Sequence, residues 1–335
     1  MLRRTLLIGA ATAALMGLTG IAAPARAETY EMVMTNEIAT THWTAQAMEH
    51  FAGRLKERSG GRIVPKIYHA GTLLKDKEAV AALGTGAVHM VWPVSVQLES
   101  LAPQYGVINL PFMITDEVML KPGASDEIAT LMTKYVEDIG IEVLGLMRTA
   151  DLMFLAKDKE IDTPKDLSGM KIRLTGGRVL QDTMRRFGAN PVTMPATEMA
   201  AALMQGAIDG IYTSAGGWEM VGTTAKVASY VPGMSLLTYS VLVDKNWLAD
   251  LPDDLRQVVK DTTKEMLSRQ WQEAIDSDKH VLDKMLAAGG KLSTVDDAAR
   301  EQFQELSRKA SSTFSDRYPE VTQQMEAIKA KYSAN

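Results

Sequence analysis

The chain has 335 residues, 46% of them hydrophobic, with 36 basic against 41 acidic side chains and no cysteine. An acidic balance of this size excludes nucleic acid and anionic membrane as the expected partners, and the missing thiols exclude disulfides and a lipid-modified N-terminal cysteine. The length suffices for two lobes with cores of their own.

The chain opens with Arg3 and Arg4, an apolar run from Leu6 to Ala23, and Ala25-Arg26-Ala27. A charged head, an apolar middle and small residues before a cut are the parts of a secretory signal peptide, so cleavage is expected after Ala27. A retained anchor is the weaker reading, because Gly9, Thr12, Gly17, Thr19 and Gly20 interrupt the run. Without Arg3, Arg4 and Arg26 the remainder holds 33 basic and 41 acidic residues, net −8. It is expected to be soluble in the periplasm, with no insertion into the membrane after cleavage.

Next come an expected strand at 30–35, a helix over 41–59 carrying Trp43, Ala47, Phe51 and Leu55 on one face, and a strand at 63–68. Residues 78–88, EAVAALGTGAV, then match residues 198–208, EMAAALMQGAI, at Glu, two Ala, Leu, Gly and Ala, and each copy leads into a short apolar strand. Helix, glycine turn and buried strand form the half-unit of a wound parallel sheet, so two copies imply two α/β lobes of like design. A helix near 126–139 and a strand at 141–146 follow. Residues 148–157 read as a strand crossing to the second lobe, and 230–243 as a strand returning. Beyond Pro252, Leu255, Val259, Met266, Trp271, Ile275, Leu282 and Leu286 keep helical spacing with no proline, predicting a helix of about 30 residues or about 45 Å. A last helical region, 296–331, breaks near Pro319 and is expected on the outside of a lobe.

The most informative stretch is DTPKDLSGMKIRLTGGR, 162–178. Met170, Ile172 and Leu174 alternate with Lys171 and Arg173, the period of a strand. A guanidinium near the end of a strand, followed by Gly176-Gly177, is suited to hold a carboxylate through two parallel N–H···O bonds. The alternative is a surface strand with two solvated charges. The glycine pair offers a second route, backbone N–H groups at a helix start.

DLSGMKIR with LTGG, followed by FGANPVTMPATEMAAALMQGAIDG at 187–210, resembles the substrate-binding subunit of tripartite ATP-independent periplasmic (TRAP) transporters, the DctP-like family. The resemblance implies an α/β, two-lobed periplasmic binding protein (type II-like) with a hinge, a central cleft and a long helix spanning both lobes. It divides the chain into 28–147 with 239–278 as lobe I, and 148–238 with 279–335 as lobe II. It also implies an organic acid as ligand, membrane subunits as partners, and an ion gradient as the energy source. In the family the arginine ending the motif grips the carboxylate, here Arg173. An asparagine beyond the glycine motif lies near the ligand, and Thr213 stands in its place. A further arginine often precedes the main one by 20 residues, and Met153 stands there. So either Arg148 or Arg178 supplies a second cation, or the ligand carries one strongly held anionic group; Arg178 also has Asp182 within helical reach.

Trp43, Trp92 and Trp218, near expected strand ends or helix starts, are read as core or as apolar walls of a pocket together with Met147 and Met153. Asn36 and Glu37 are candidate polar contacts from the first lobe, and Asp209 a structural turn residue. His42, His50, His69, His89 and His280 show no metal-ligand spacing, and no GxSxG, P-loop, dinucleotide or HExxH pattern occurs. No cofactor, metal or catalytic residue is expected, which leaves a non-carboxylate solute or a periplasmic enzyme as the alternatives.

Overall fold

The computed structural model describes residues 28–333 apart from 39, 41, 42 and 223. The expected signal segment and His42 lie outside the described residues.

Two sheets form the two lobes. The first holds β1 (Tyr30–Thr35), β2 (Ile63–Tyr68), β3 (Met90–Val91), β4 (Ile141–Asp151) and, from far along the chain, Leu236–Asp244. The second holds β5 (Met153–Ala156), β6 (Lys171–Leu174), β7 (Asn190–Thr193), β8 (Gly210–Thr213) and β9 (Val227–Tyr230), with Leu236–Asp244 being β10 and Lys291–Thr294 being β11. The orders are β2-β1-β3-β10-β4 and β11-β9-β5-β8-β6-β7. Read from the parallel end, both run second strand, first strand, third strand, then one antiparallel strand. The third strand of each triplet, β3 or β8, follows the helix of one sequence repeat, Asp76–Ala82 or Met199–Gln205. The repeat is thus a repeat of topology.

Each sheet is covered on both faces. In the first, Met32, Met34, Met90 and Val243 face one cluster and Val91, Val143 and Leu242 the other. In the second, Ile172, Leu174, Phe154 and Tyr212 share one face, while Met153, Leu155 and Ile211 share the opposite one. The two-residue alternation of a strand therefore points Arg173 toward the second of these faces.

The chain crosses between lobes where β4 gives way to β5 at Leu152, and again where β9 gives way to β10 over 231–235. The two crossings are joined, since the Leu152 amide donates to the Ser235 carbonyl at 2.9 Å. The sequence reading made each crossing one continuous strand. The chain breaks both, because Pro232-Gly233 turns the second, with Gly233 at φ +72°, and each half pairs in a different sheet.

The long helix, Asp253–Ala287, has 35 residues, about 52 Å. It packs on β4 in the first lobe and on the helix Ala215–Val221 in the second. The helix Asp297–Arg317 lies on the second lobe against Arg178–Arg186. The last helix, Pro319–Ser333, returns to the first lobe, burying Val321 and Met325 in its core. The sequence reading assigned this helix to lobe II; Pro319 instead redirects the chain, and Tyr332 bonds Glu127 on the first lobe at 2.8 Å.

Candidate functional site

In open α/β sheets ligands bind outside the carboxyl ends of the parallel strands, here the ends of β1 and β3 in the first lobe and of β6, β7 and β8 in the second. On the second lobe, register fixes which side chains share that edge. Arg173 pairs with Val192 and Ile211, Thr213 with Met153, and Met153 with Tyr230. Residues two apart share a face, so Arg173, in a row with Val192 and Ile211, shares its face with the next row, Thr213, Met153 and Tyr230.

Arg173 is 2% exposed. Its Nε–H and one Nη2–H donate to the Met194 carbonyl at 3.0 and 2.7 Å. A guanidinium has five N–H donors, and the others meet no protein acceptor among the described residues. No carboxylate lies within ion-pair distance of it there either. Burial with no compensating charge pushes its pKa down to about 10. Lys171, on the same strand face, is exposed; its backbone amide donates to Asp209 at 2.8 Å, which makes Asp209 a turn clasp. Thr213 is 8% exposed and packs tightly against Gly217, where an added Cβ would stand 2.2 Å from its Oγ1.

The other expected cations are arranged differently. Arg148, also 2% exposed, sits near the end of β4 with every guanidinium nitrogen engaged. Asp116 accepts from Nε at 2.7 Å and Nη2 at 3.1 Å, Asp151 from Nη2 at 2.8 Å, and Asp278 of the long helix from Nη1 at 2.5 Å. Burial alone would lower its pKa, but Asp116 and Asp278 hold it above the ordinary value. Gln270 clasps the Arg148 backbone at 2.8 and 2.7 Å, and Trp271 donates to Asp116 at 2.7 Å. Tyr230 is hydrogen-bonded to Asp151. This knot ties the hinge together, uses four of the five N–H donors and surrounds Arg148 with three carboxylates, so it is not a free cation for a ligand.

Arg178 has an exposed side chain, and its expected partner Asp182 pairs with Arg185 instead at 2.6 Å. The N–H groups of Arg178 and Val179 are taken by Glu99 of the first lobe at 2.6 and 3.3 Å. A Cβ on Gly177, at φ +82°, would stand 3.1 Å from Glu99 and 3.3 Å from Val96. The glycine pair therefore admits the first lobe's own carboxylate to the helix start, in place of a ligand's.

The tryptophans are largely core. Trp218 is fully buried and donates to the Ala225 carbonyl at 3.0 Å. Trp92 is fully buried with its ring 5.6 Å edge-on from Phe51. Trp43 is half-buried, edge-on to Tyr239 at 6.1 Å. Large apolar rings gain most where they are wholly removed from water, and these two found such places. Met153 is 3% exposed, in the row described.

On the first lobe Asn36 is buried and spent on structure, through His69 at 2.9 Å and the Ile38 amide at 3.0 Å. Glu37, exposed, exchanges backbone-to-carboxylate bonds with Asp76, 3.2 Å each way. Burial, and then Glu37, push Asp76 up to about 6. Sequence reasoning missed Asp76, Glu99 and the Met194 carbonyl; only the last had a signal, its place two residues beyond the partner of Arg173 in β7.

Among the described residues no group of three His, Asp or Glu side chains is placed to hold a metal ion, and no helix is long and apolar enough to cross a membrane. The family model of bacterial extracellular solute-binding protein, family 7 (DctP), matches residues 34–316. The C4-dicarboxylate-binding protein DctB of Bacillus subtilis is 26% identical over 235 residues, 68% of this chain and 65% of that one. The fold is similar to that of a sugar acid binding protein of Advenella mimigardefordensis in complex with galactonate, with TM-score 0.81, 20% identity, and 90% and 99% of the two chains covered. An extracytoplasmic solute receptor of Bordetella pertussis binding pyroglutamic acid is comparable, with TM-score 0.80, 20% identity, and 90% and 99% covered. With the motif around Arg173, the twofold α/β design and a family match over most of its length, this chain belongs to the DctP family of TRAP solute-binding proteins.

Proposed function

We propose that this protein is the extracytoplasmic receptor of a TRAP transporter, exported to the periplasm by residues 1–27, that captures an organic acid between its lobes and hands it unchanged to membrane subunits. The observation that carries the reading is the buried, uncompensated guanidinium of Arg173. An isolated charge removed from water is costly unless a partner replaces its hydration. A ligand carboxylate supplies that partner, through charge-assisted bonds to the donors that Met194 leaves over. Thr213 adds a hydroxyl beside it, and Met153 and Met194 add apolar contact. Two crossings with a shared hydrogen bond give the lobes a common hinge, and lobe closure lets the membrane subunits distinguish loaded from empty receptor.

Thermal unfolding against a panel of aliphatic, keto, hydroxy and aromatic carboxylates tests this. A true ligand at 100 times its dissociation constant stabilises by about 2.7 kcal/mol, and Arg173→Ala should abolish the shift. A panel that leaves the wild-type protein unmoved, or an equal shift in the variant, contradicts the reading.

A further inference from the structure

Arg148 and Arg173 are the two buried basic side chains among the described residues. Their charge balance differs sharply. Arg148 faces Asp116, Asp151 and Asp278, an excess of negative charge. Arg173 faces one neutral carbonyl. Its own row holds Val192 and Ile211, and the next row on that face, Thr213, Met153 and Tyr230, contributes a thioether and hydroxyls and no charge.

Bound at this edge, one carboxylate neutralises Arg173. A second ionised group on the same ligand would be taken from water with no buried cation to meet it. Such an unpaired buried charge opposes binding strongly. Resting on the receptor reading above, we propose that the cleft selects by charge: it takes singly charged acids whose remaining body is neutral, and discriminates against dicarboxylates of the same shape. This departs from what the name of the Bacillus relative states for that protein.

Isosteric pairs isolate the charge. Succinate with succinamate, glutarate with glutaramate, and phthalate with phthalamate differ by one ionised oxygen against one amide nitrogen. Calorimetric titration at pH 8 on the wild-type protein and on Arg173→Met reads both proposals. The expected result is binding of at least one amide acid, with its dianionic partner weaker by about 30-fold or more, a difference of about 2 kcal/mol. A dianion that binds as tightly as its amide, and loses binding in Arg173→Met, overturns the charge selection and leaves the receptor reading standing. Binding of either member that is unchanged in Arg173→Met overturns both, as does silence of all six acids together with the broader panel.

Discussion

Arg148 and Arg173 stand near the ends of strands in opposite lobes, each 2% exposed, and the protein surrounds them in contrasting ways. Around Arg148 every guanidinium nitrogen meets a carboxylate, and the group binds β4, the short helix that starts at Asp116 and the long helix into one hinge. Around Arg173 a single carbonyl is provided. A buried charge satisfied by its own chain holds structure; one left unsatisfied is poised for something from outside. Burial alone does not tell the two apart, and the inventory of partners does.

The contrast sharpens under substitution. Arg148→Met leaves three carboxylates facing one another without their cation. Removing one partner of a buried ion pair costs about 3–5 kcal/mol. These carboxylates keep 20–31% of their side-chain exposure, so the low end, about 3 kcal/mol, is expected. Chemical denaturation reads it directly, and affinity of the folded fraction for its acid should change far less than stability. A variant as stable as wild type would break the comparison.

Asp76 provides the next effect. Its folded pKa is raised to about 6 from the ordinary 3.8. The unfolded chain therefore releases this proton first, and the stability contributed by this group falls as pH rises from about 4 to about 6, then levels off. The shift corresponds to up to about 3 kcal/mol. Asp76→Asn keeps an acceptor for the Glu37 amide and should flatten that slope, giving a variant more stable than wild type at pH 7 and similar to it at pH 4. Melting curves across this range with an unchanged slope would show that Asp76 is not the titrating group.

The smallest effect is at the cleft itself. Thr213→Val removes one neutral hydroxyl beside Arg173 while keeping its shape. A net loss of about 1 kcal/mol, roughly fivefold in affinity, is expected by calorimetry with little change in stability. A loss as large as that of the arginine would mean that Thr213 shares the clamp equally.

Much of the fold was legible from local pattern. The alternation of Met170 to Leu174 put Arg173 on a strand, and the unbroken run after Pro252 announced the long helix. The two-lobed plan lay in the repeat at 78–88 and 198–208. The role of Arg148 was not legible, because Asp116 and Asp278 lie 32 and 130 positions away along the chain. Nor was the capping of Arg178 by Glu99, 79 positions away. Of the two readings of Trp92 and Trp218, core and pocket wall, the fold realises the core; position near a strand end could not choose, since hydrophobicity draws such rings into cores as readily as into clefts. In the returning strand, apolar residues on both sides of Pro232-Gly233 masked a turn that the dipeptide itself signals.

The most direct test is thermal unfolding of Arg173→Met, without ligand and with the best acid of the panel. If Arg173 is held uncompensated for a ligand, replacing it by an apolar chain of similar length leaves the empty protein at least as stable as wild type and removes the rise in Tm on adding acid. An empty variant destabilised as strongly as Arg148→Met, with the acid-induced rise intact, would contradict the account: Arg173 would then be a structural cation like its counterpart at the hinge.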